Sequence, residues 1–295
     1  MQSNKSILEE IVENTLKSLR RAGFVVESIV YPENRRSIDI VGSYKGEKII
    51  IKASLDSHKV SDIEVNDLKK ASLAYNASPL IVARRHGRHD VEDDVVYSRK
   101  GVKVINDVTL ENIVLKNDRP LVQNVKGTFL VRINPEKFRK RRLELGYSLG
   151  EIASLLGVTR KSVYEYERGN IAVRLEVAIR IAEIFGEDVF EPIDIFETPA
   201  DIQAETGEKP RNLVEKLLYL LAMRKGYDLY RLFRTPIDYV LSRSRDRTLS
   251  IIYQGSSLRE FRFKIEQAEK ISRMLNTKPL VVKEPSDVKI LEDYI

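Results

Sequence analysis

A chain of 295 residues with 42% hydrophobic residues can bury more than one core, so two or three domains are expected. The absence of cysteine excludes disulfides and thiolate zinc sites, leaving carboxylates and His58, His86 and His89 for any metal chemistry. A formal net charge of +6 favours a polyanionic partner, while no apolar run approaches the roughly 20 residues of a membrane span and the N-terminus lacks a signal peptide's apolar core, which points to the cytoplasm.

Residues 1–125 read as an α/β domain. A helix is predicted over Ser6 to Arg21, with Ile7, Leu8, Ile11, Val12, Leu16 and Leu19 on one stripe and Gly23 at the C-cap position. "FVVESIV", "SIDIVGSY" and "EKIIIKA" are short β-rich runs separated by Pro32 and the "YKGE" turn, "VNDLKKASLAYN" is helical, and "PLIVAR" is again extended. "ARRHGRHDVEDD" then carries His86, His89, Asp90 and Asp93 at spacings that would suit a metal on a helix. Most such clusters are solvated loops, and Arg84, Arg85 and Arg88 offer a basic contact instead. No metal or cofactor is expected.

Residues 126–190 change to continuous helical periodicity, with no strand candidate between Asn134 and Gly186. Phe138, Arg142, Leu143 and Leu145 lie on or beside the core stripe of a first helix that Gly146 ends. Ser148 can cap a second helix, whose Ile152, Ala153 and Leu156 face inward, and Gly157 makes the turn. Thr159 caps a third, which returns Val163 and Tyr166 to the core and leaves Arg160, Lys161, Ser162, Tyr164 and Glu165 facing out. A fourth helix is expected to bury Leu175, Ala178, Ile179, Ala182 and Ile184.

Residues 191–210 continue an acidic stretch that starts at Gly186 and includes Glu187, Asp188, Glu191, Asp194, Glu197, Asp201, Glu205 and Glu208, and they read as a solvated linker. Residues 211–295 form a second α/β domain that repeats the first. "PIDYVLSRS" stands for "SIDIVGSY", "RTLSIIYQGSS" for "GEKIIIKAS" and "AEKISRMLNTKPLVV" for "LKKASLAYNASPLIV". The interval from Asp39 to Asn76 differs by a single residue from that between Asp238 and Asn276, as expected for one packing unit used twice.

The stretch from Asn134 to Gly186, "NPEKFRKRRLELGYSLGEIASLLGVTRKSVYEYERGNIAVRLEVAIRIAEIFG", resembles the Cro and lambda-repressor type of helix-turn-helix domain, the xenobiotic-response-element family. That resemblance implies that the helix after Thr159 enters the major groove of double-stranded DNA, with Thr159, Arg160, Lys161, Ser162 and Tyr164 reaching bases or adjacent phosphates. "KFRKRR", with Arg139, Lys140 and Arg142, would sit near the backbone and add affinity without sequence preference. Where many relatives have a phosphate-clamping glutamine after the cap, this chain reads Ser148-Leu149, so Ser148 or the helix N-terminal amides take that contact.

The first segment resembles the PD-(D/E)XK nuclease fold, including archaeal Holliday-junction resolvases. In that family an aspartate and a glutamate hold Mg²⁺ and a lysine two residues after the glutamate assists the attack. Asp39 and Lys52 match, but Ile50 stands at the glutamate position. Asp56, Glu9, Glu10 and Glu13 are the candidate substitutes. Around Asp238 the glutamate and lysine sites fall near Ile251 or Ile252 and Tyr253. The whole order is similar to that of archaeal helix-turn-helix transcriptional regulators: two restriction-endonuclease-like α/β domains flanking an all-α, lambda-repressor-like DNA-binding domain. The expected function is a sequence-specific regulator, not an enzyme, acting as a homodimer on half-sites about one helical turn apart, with any small-molecule effector unknown. The rival is a metal-dependent DNA-processing nuclease in which Asp39 and Lys52 are catalytic.

Overall fold

The computed structural model describes residues 4–197, 204, 209–244, 247–254 and 258–294. Helix α1 (Asn4–Arg21) precedes an antiparallel meander of β1 (Val25–Ser28), β2 (Ile40–Tyr44) and β3 (Glu47–Asp56). Ser61 and Glu64 form a capping box that starts α2 (Asp62–Tyr75), and this crossover helix brings β4 (Ser78–His86) parallel to β3. Next come β5 (His89–Asp90), β6 (Val95–Arg99), β7 (Val102–Ile105), α3 (Asp107–Lys116), β8 (Val122–Val125) and β9 (Thr128–Val131).

Ile49, Ile50 and Ile51 are all fully buried, because the sheet is covered on both faces. Ile49 and Ile51 pack with Ile11, Leu19 and Leu110 from α1 and α3; Ile50 points the other way, toward Leu68 of α2. A strand covered on both sides loses polar alternation, which is why "EKIIIKA" reads as a continuous apolar run.

The helical module comprises α4 (Pro135–Glu144), α5 (Leu149–Leu156), α6 (Arg160–Tyr166), the short β10 (Val173–Arg174) and α7 (Leu175–Phe185). β10 pairs with β9, a strand that the helical periodicity did not predict, and it ties the module to the edge of the large sheet. Phe138, Ile152, Leu156, Val163 and Ile181 are its fully buried centre. Leu143 and Leu145 are exposed, contrary to expectation. So is Ile179: α7 buries Ala178, Ile181 and Phe185, a stripe rotated from the predicted one.

The acidic segment after α7 is docked over its described part. Glu191 N donates to Arg132 O at 3.0 Å and Ile193 N to Pro120 O at 2.8 Å. Ile195 is buried, Phe196 stacks on Phe24, and Lys103 Nζ donates to the carbonyls of Asp194 and Glu197. These are apolar anchors inside an acidic sequence, and composition hid them. Asp201, Glu205 and Glu208 lie outside the described residues.

The last elements are α8 (Leu213–Lys225), β11 (Asp228–Arg231), β12 (Tyr239–Ser244), β13 (Arg247–Tyr253), α9 (Leu258–Met274), β14 (Lys278–Val282) and α10 (Asp287–Ile290). Among the described residues β1 to β10 belong to one mixed sheet and β11 to β14 to a second, in which β13 and β14 are parallel and the other neighbours antiparallel. The two sheets pack through their helices: α2 lies against β11 and β12, and α9 lies against β1 and β2. One apolar cluster therefore contains Ile50, Leu68 and Tyr75 together with Val240, Ile252 and Ile271. Polar contacts repeat the exchange. Asp67 on α2 accepts from Phe233 N and Arg234 N at 3.1 and 2.9 Å, and Gln267 on α9 accepts from Val30 N at 3.0 Å.

Candidate DNA interface and the nuclease-like site

The second and third helices of the module are built by their caps. Ser148 Oγ accepts from Glu151 N at 3.2 Å while Ser148 N donates to the Glu151 carboxylate at 2.8 Å, which starts α5. Gly157 closes it with φ +66°, a left-handed conformation that favours glycine. A Cβ there would stand 2.7 Å from Arg180 Nη1, which itself donates to Leu156 O. Thr159 then caps α6, accepting from Ser162 N at 3.0 Å, and Val163 and Tyr166 anchor α6 in the core.

This fixes the outward face of α6. Arg160 and Lys161 are exposed and make no ion pair with the described residues. Tyr164 is 45% exposed and its hydroxyl accepts from Arg168 Nη1 at 2.7 Å. Arg168 was missed in the sequence, though its i+4 spacing from Tyr164 was a usable signal. The hydroxyls of Thr159 and Ser162 lie 2.9 Å apart and face each other at the helix start. On α4, Arg139 and Lys140 are exposed, Lys140 beside Glu144.

Arg142 is different. Its guanidinium is buried and bonded to both Glu167 oxygens, at 2.6 and 3.2 Å, and to Tyr147 O at 2.7 Å. The expected backbone contact is corrected: this buried arginine turns Nε, Nη1 and Nη2 inward and locks α4 to the end of α6.

Around Asp39 the geometry is equally definite. One Asp39 oxygen accepts from Lys52 Nζ at 2.9 Å and Ala53 N at 2.7 Å, and the other is bonded to Arg36. A second carboxylate, Glu64 from the first turn of α2, stands 3.7 Å from Lys52 Nζ. The candidate substitutes do not supply it. Asp56 accepts from His58 N and Gly87 N through one oxygen, Glu10 pairs with Arg84, and Glu9 and Glu13 are exposed. Glu64 is held in turn by Ser61 and by Arg234, whose Nη1 reaches it at 3.4 Å from the loop between β11 and β12.

Asp238 repeats the backbone pattern, accepting from Tyr253 N at 2.6 Å as Asp39 accepts from Ala53 N, but its cation is Lys264 of α9. Burial pushes the Asp238 carboxyl up, with Lys264 opposing. Pro79 pairs with Ile50 and Pro279 with Ser250, so the positions corresponding to Ile50 and Lys52 are Ser250 and Ile252 rather than the neighbours read from sequence.

The family model described as a helix-turn-helix matches residues 138–191, and the one described as a PD-(D/E)XK superfamily domain matches residues 8–120. A protein of Thermococcus gammatolerans is 32% identical over 97% of this chain and 89% of its own length. One of Aeropyrum pernix is 37% identical over 80% and 72%, and one of Thermococcus kodakarensis 32% identical over 97% and 88%. Each bears the name "Putative HTH-type transcriptional regulatory protein". This chain belongs to that archaeal family. No solved structure matches it.

Members of the PD-(D/E)XK superfamily hold Mg²⁺, and the donor set in this regulator does not fit that ion. Mg²⁺ binds oxygens in near-octahedral order. Here Asp39 and Glu64 are 2% and 6% exposed, and their oxygens are occupied by Arg36, Lys52, Ala53, Ser61 and Arg234. Ile50 fills the remaining ligand position with a core side chain. The histidine-rich stretch is no helix either: His86 and His89 face each other across a tight β4–β5 turn. Burial holds the His86 imidazole below its usual pKa, and His58 beside it adds to the effect. No helix among the described residues is long and apolar enough to cross a membrane.

Proposed function

We propose that this protein is a sequence-specific transcriptional regulator that reads double-stranded DNA through α6 and works in the cytoplasm without enzymatic activity. The observation that carries this reading is the α6 face: Arg160 and Lys161 exposed and without an ion pair among the described residues, beside Tyr164 braced by Arg168. Arginine and lysine address guanine O6 and N7, and the Thr159 and Ser162 hydroxyls and Ser148 stand at helix starts, where phosphates bind. Arg139 and Lys140 supply salt-dependent backbone affinity.

Two α/β domains of one fold flank the reader in this proposal, residues 1–125 and 211–295, with 126–190 as the helix-turn-helix and 191–210 between. What supports the duplication is the shared strand order, the paired Asp39 and Asp238 hydrogen bonds and the reciprocal packing of α2 and α9. A homodimer follows from the half-site argument. The α2 and α9 faces are covered within one chain, so the second copy must use another surface.

Selection of bound duplex from random DNA, followed by footprinting, tests the function. A defined site protected without divalent metal and left intact is the expected result. The nuclease reading has the superfamily match to residues 8–120 in its favour and the occupied carboxylates against it. Nicking in Mg²⁺ that disappears in Asp39→Ala would establish it.

A further inference from the structure

Helix α8, "LVEKLLYLLAMRK", is apolar on two sides. Val214, Leu218, Leu221 and Ala222 are buried with Tyr239, Leu241 and Ile251 of the second sheet. On a surface helix the opposite side should be polar. Here Leu213, Tyr219, Leu220 and Met223 stand 49% to 64% exposed. At about 3.6 residues per turn they share one continuous stripe with Lys216. Beside it, α10 and the turn that follows expose Ile290 and Tyr294, and Arg224 ties this corner to α8 through Glu292.

The first domain provides an internal comparison, which rests on the proposed duplication. Both α1 and α8 close at a glycine of positive φ, Gly23 and Gly226. Counted back from those glycines, Leu213, Leu220 and Met223 stand where α1 carries Glu10, Lys17 and Arg20. All three of the α1 residues are exposed. The outer side of α1 is thus a solvated, charged face, and α3 flanks that helix. At the same positions α8 carries apolar side chains, which water disfavours and burial against a second surface stabilises.

We propose that this stripe is the homodimer surface, covered by α8 of a second copy in an antiparallel, two-fold arrangement; the assignment deepens the homodimer reading and rests on it. Size supports a second copy. Six large side chains, each about half exposed, present on the order of 500 Å² of apolar surface, at the top of what a monomer leaves bare and most of the roughly 800 Å² that each partner gives a standard interface. Charge supports it as well. Lys216 lies inside the stripe and makes no ion pair with the described residues. Helices crossing antiparallel at Leu220 place position 216 of each opposite position 224 of the other, where the Glu292 carboxylate stands beside Arg224. Each copy therefore supplies the anion that the other's stripe lacks, and Leu220 meets its own copy on the axis.

The test uses the full chain without DNA, so its failure is distinguishable from failure of the regulator reading. Sedimentation at micromolar concentration should show a dimer. Leu220→Glu should raise the dissociation constant by about 100-fold or more, because two carboxylates would face each other in an apolar contact. Arg20→Glu, at the matching face of α1, should leave the dimer unchanged. The chain has no cysteine, so Leu220→Cys should give a covalent dimer on oxidation with diamide, and Arg20→Cys should not. A monomeric parent, including one that binds a different protein through this stripe, overturns the assignment. So does a dimer that Leu220→Glu leaves intact while circular dichroism shows a folded chain, or a Leu220→Cys chain that diamide does not cross-link.

Discussion

Arg142→Ala distinguishes a structural arginine from a DNA contact. The pair with Glu167 is 9% and 10% exposed, and the guanidinium makes three hydrogen bonds of 2.6 to 3.2 Å. Truncation strands a buried carboxylate and the Tyr147 carbonyl, a loss of about 3–5 kcal/mol for an ion pair this enclosed. At about 1.36 kcal/mol per tenfold, amide protection across α4, α5 and α6 should fall by roughly 10²- to 10⁴-fold in hydrogen exchange, while the peptides of α8 and α9 stay unchanged. Arg139→Ala, at an exposed position, should leave protection within about twofold of the parent. Unchanged protection in Arg142→Ala, with a salt slope of DNA binding reduced by about one, would make Arg142 a phosphate contact and refute the structural assignment.

Arg160→Ala should cost about 1–3 kcal/mol on the selected site and relax preference at one base position, whereas Lys140→Ala should weaken all duplexes alike and flatten the salt slope, both read by titration at several salt concentrations. Asp39→Ala should lower the melting temperature, because Lys52 and Arg36 lose their shared partner, yet leave the protected DNA site unaltered in footprinting. Ile50→Glu restores the carboxylate that the nuclease pattern requires, but in a fully buried core position. Calorimetry should show marked destabilisation and a gel assay no Mg²⁺-dependent nicking; nicking would show that the scaffold still accepts the ion.

Caps and strand parity are legible in the sequence. Ser148, Gly157 and Thr159 announce the turns of the reader because each satisfies a local backbone need, and Asp39 and Lys52 meet because both project onto one face of neighbouring strands. Glu64 was not legible, since its approach to Lys52 depends on how α2 crosses β3, and Arg234 arrives from far along the chain. Arg142 misled for a physical reason. The periodicity puts it on or beside the core stripe while the basic run makes it a backbone contact, and its partner Glu167 decides for the first.

The exchange of α2 and α9 between the two sheets also orders events on the ribosome. The α2 face bearing Val65, Leu68 and Ala71 emerges early, but the strands that lie against it, β11 and β12, come after the whole DNA reader. At about 5–20 residues per second, that apolar face waits on the order of ten to thirty seconds for its cover. During that interval the growing chain is open to mispairing, and a message truncated after the acidic segment would yield a reader attached to a half-finished core.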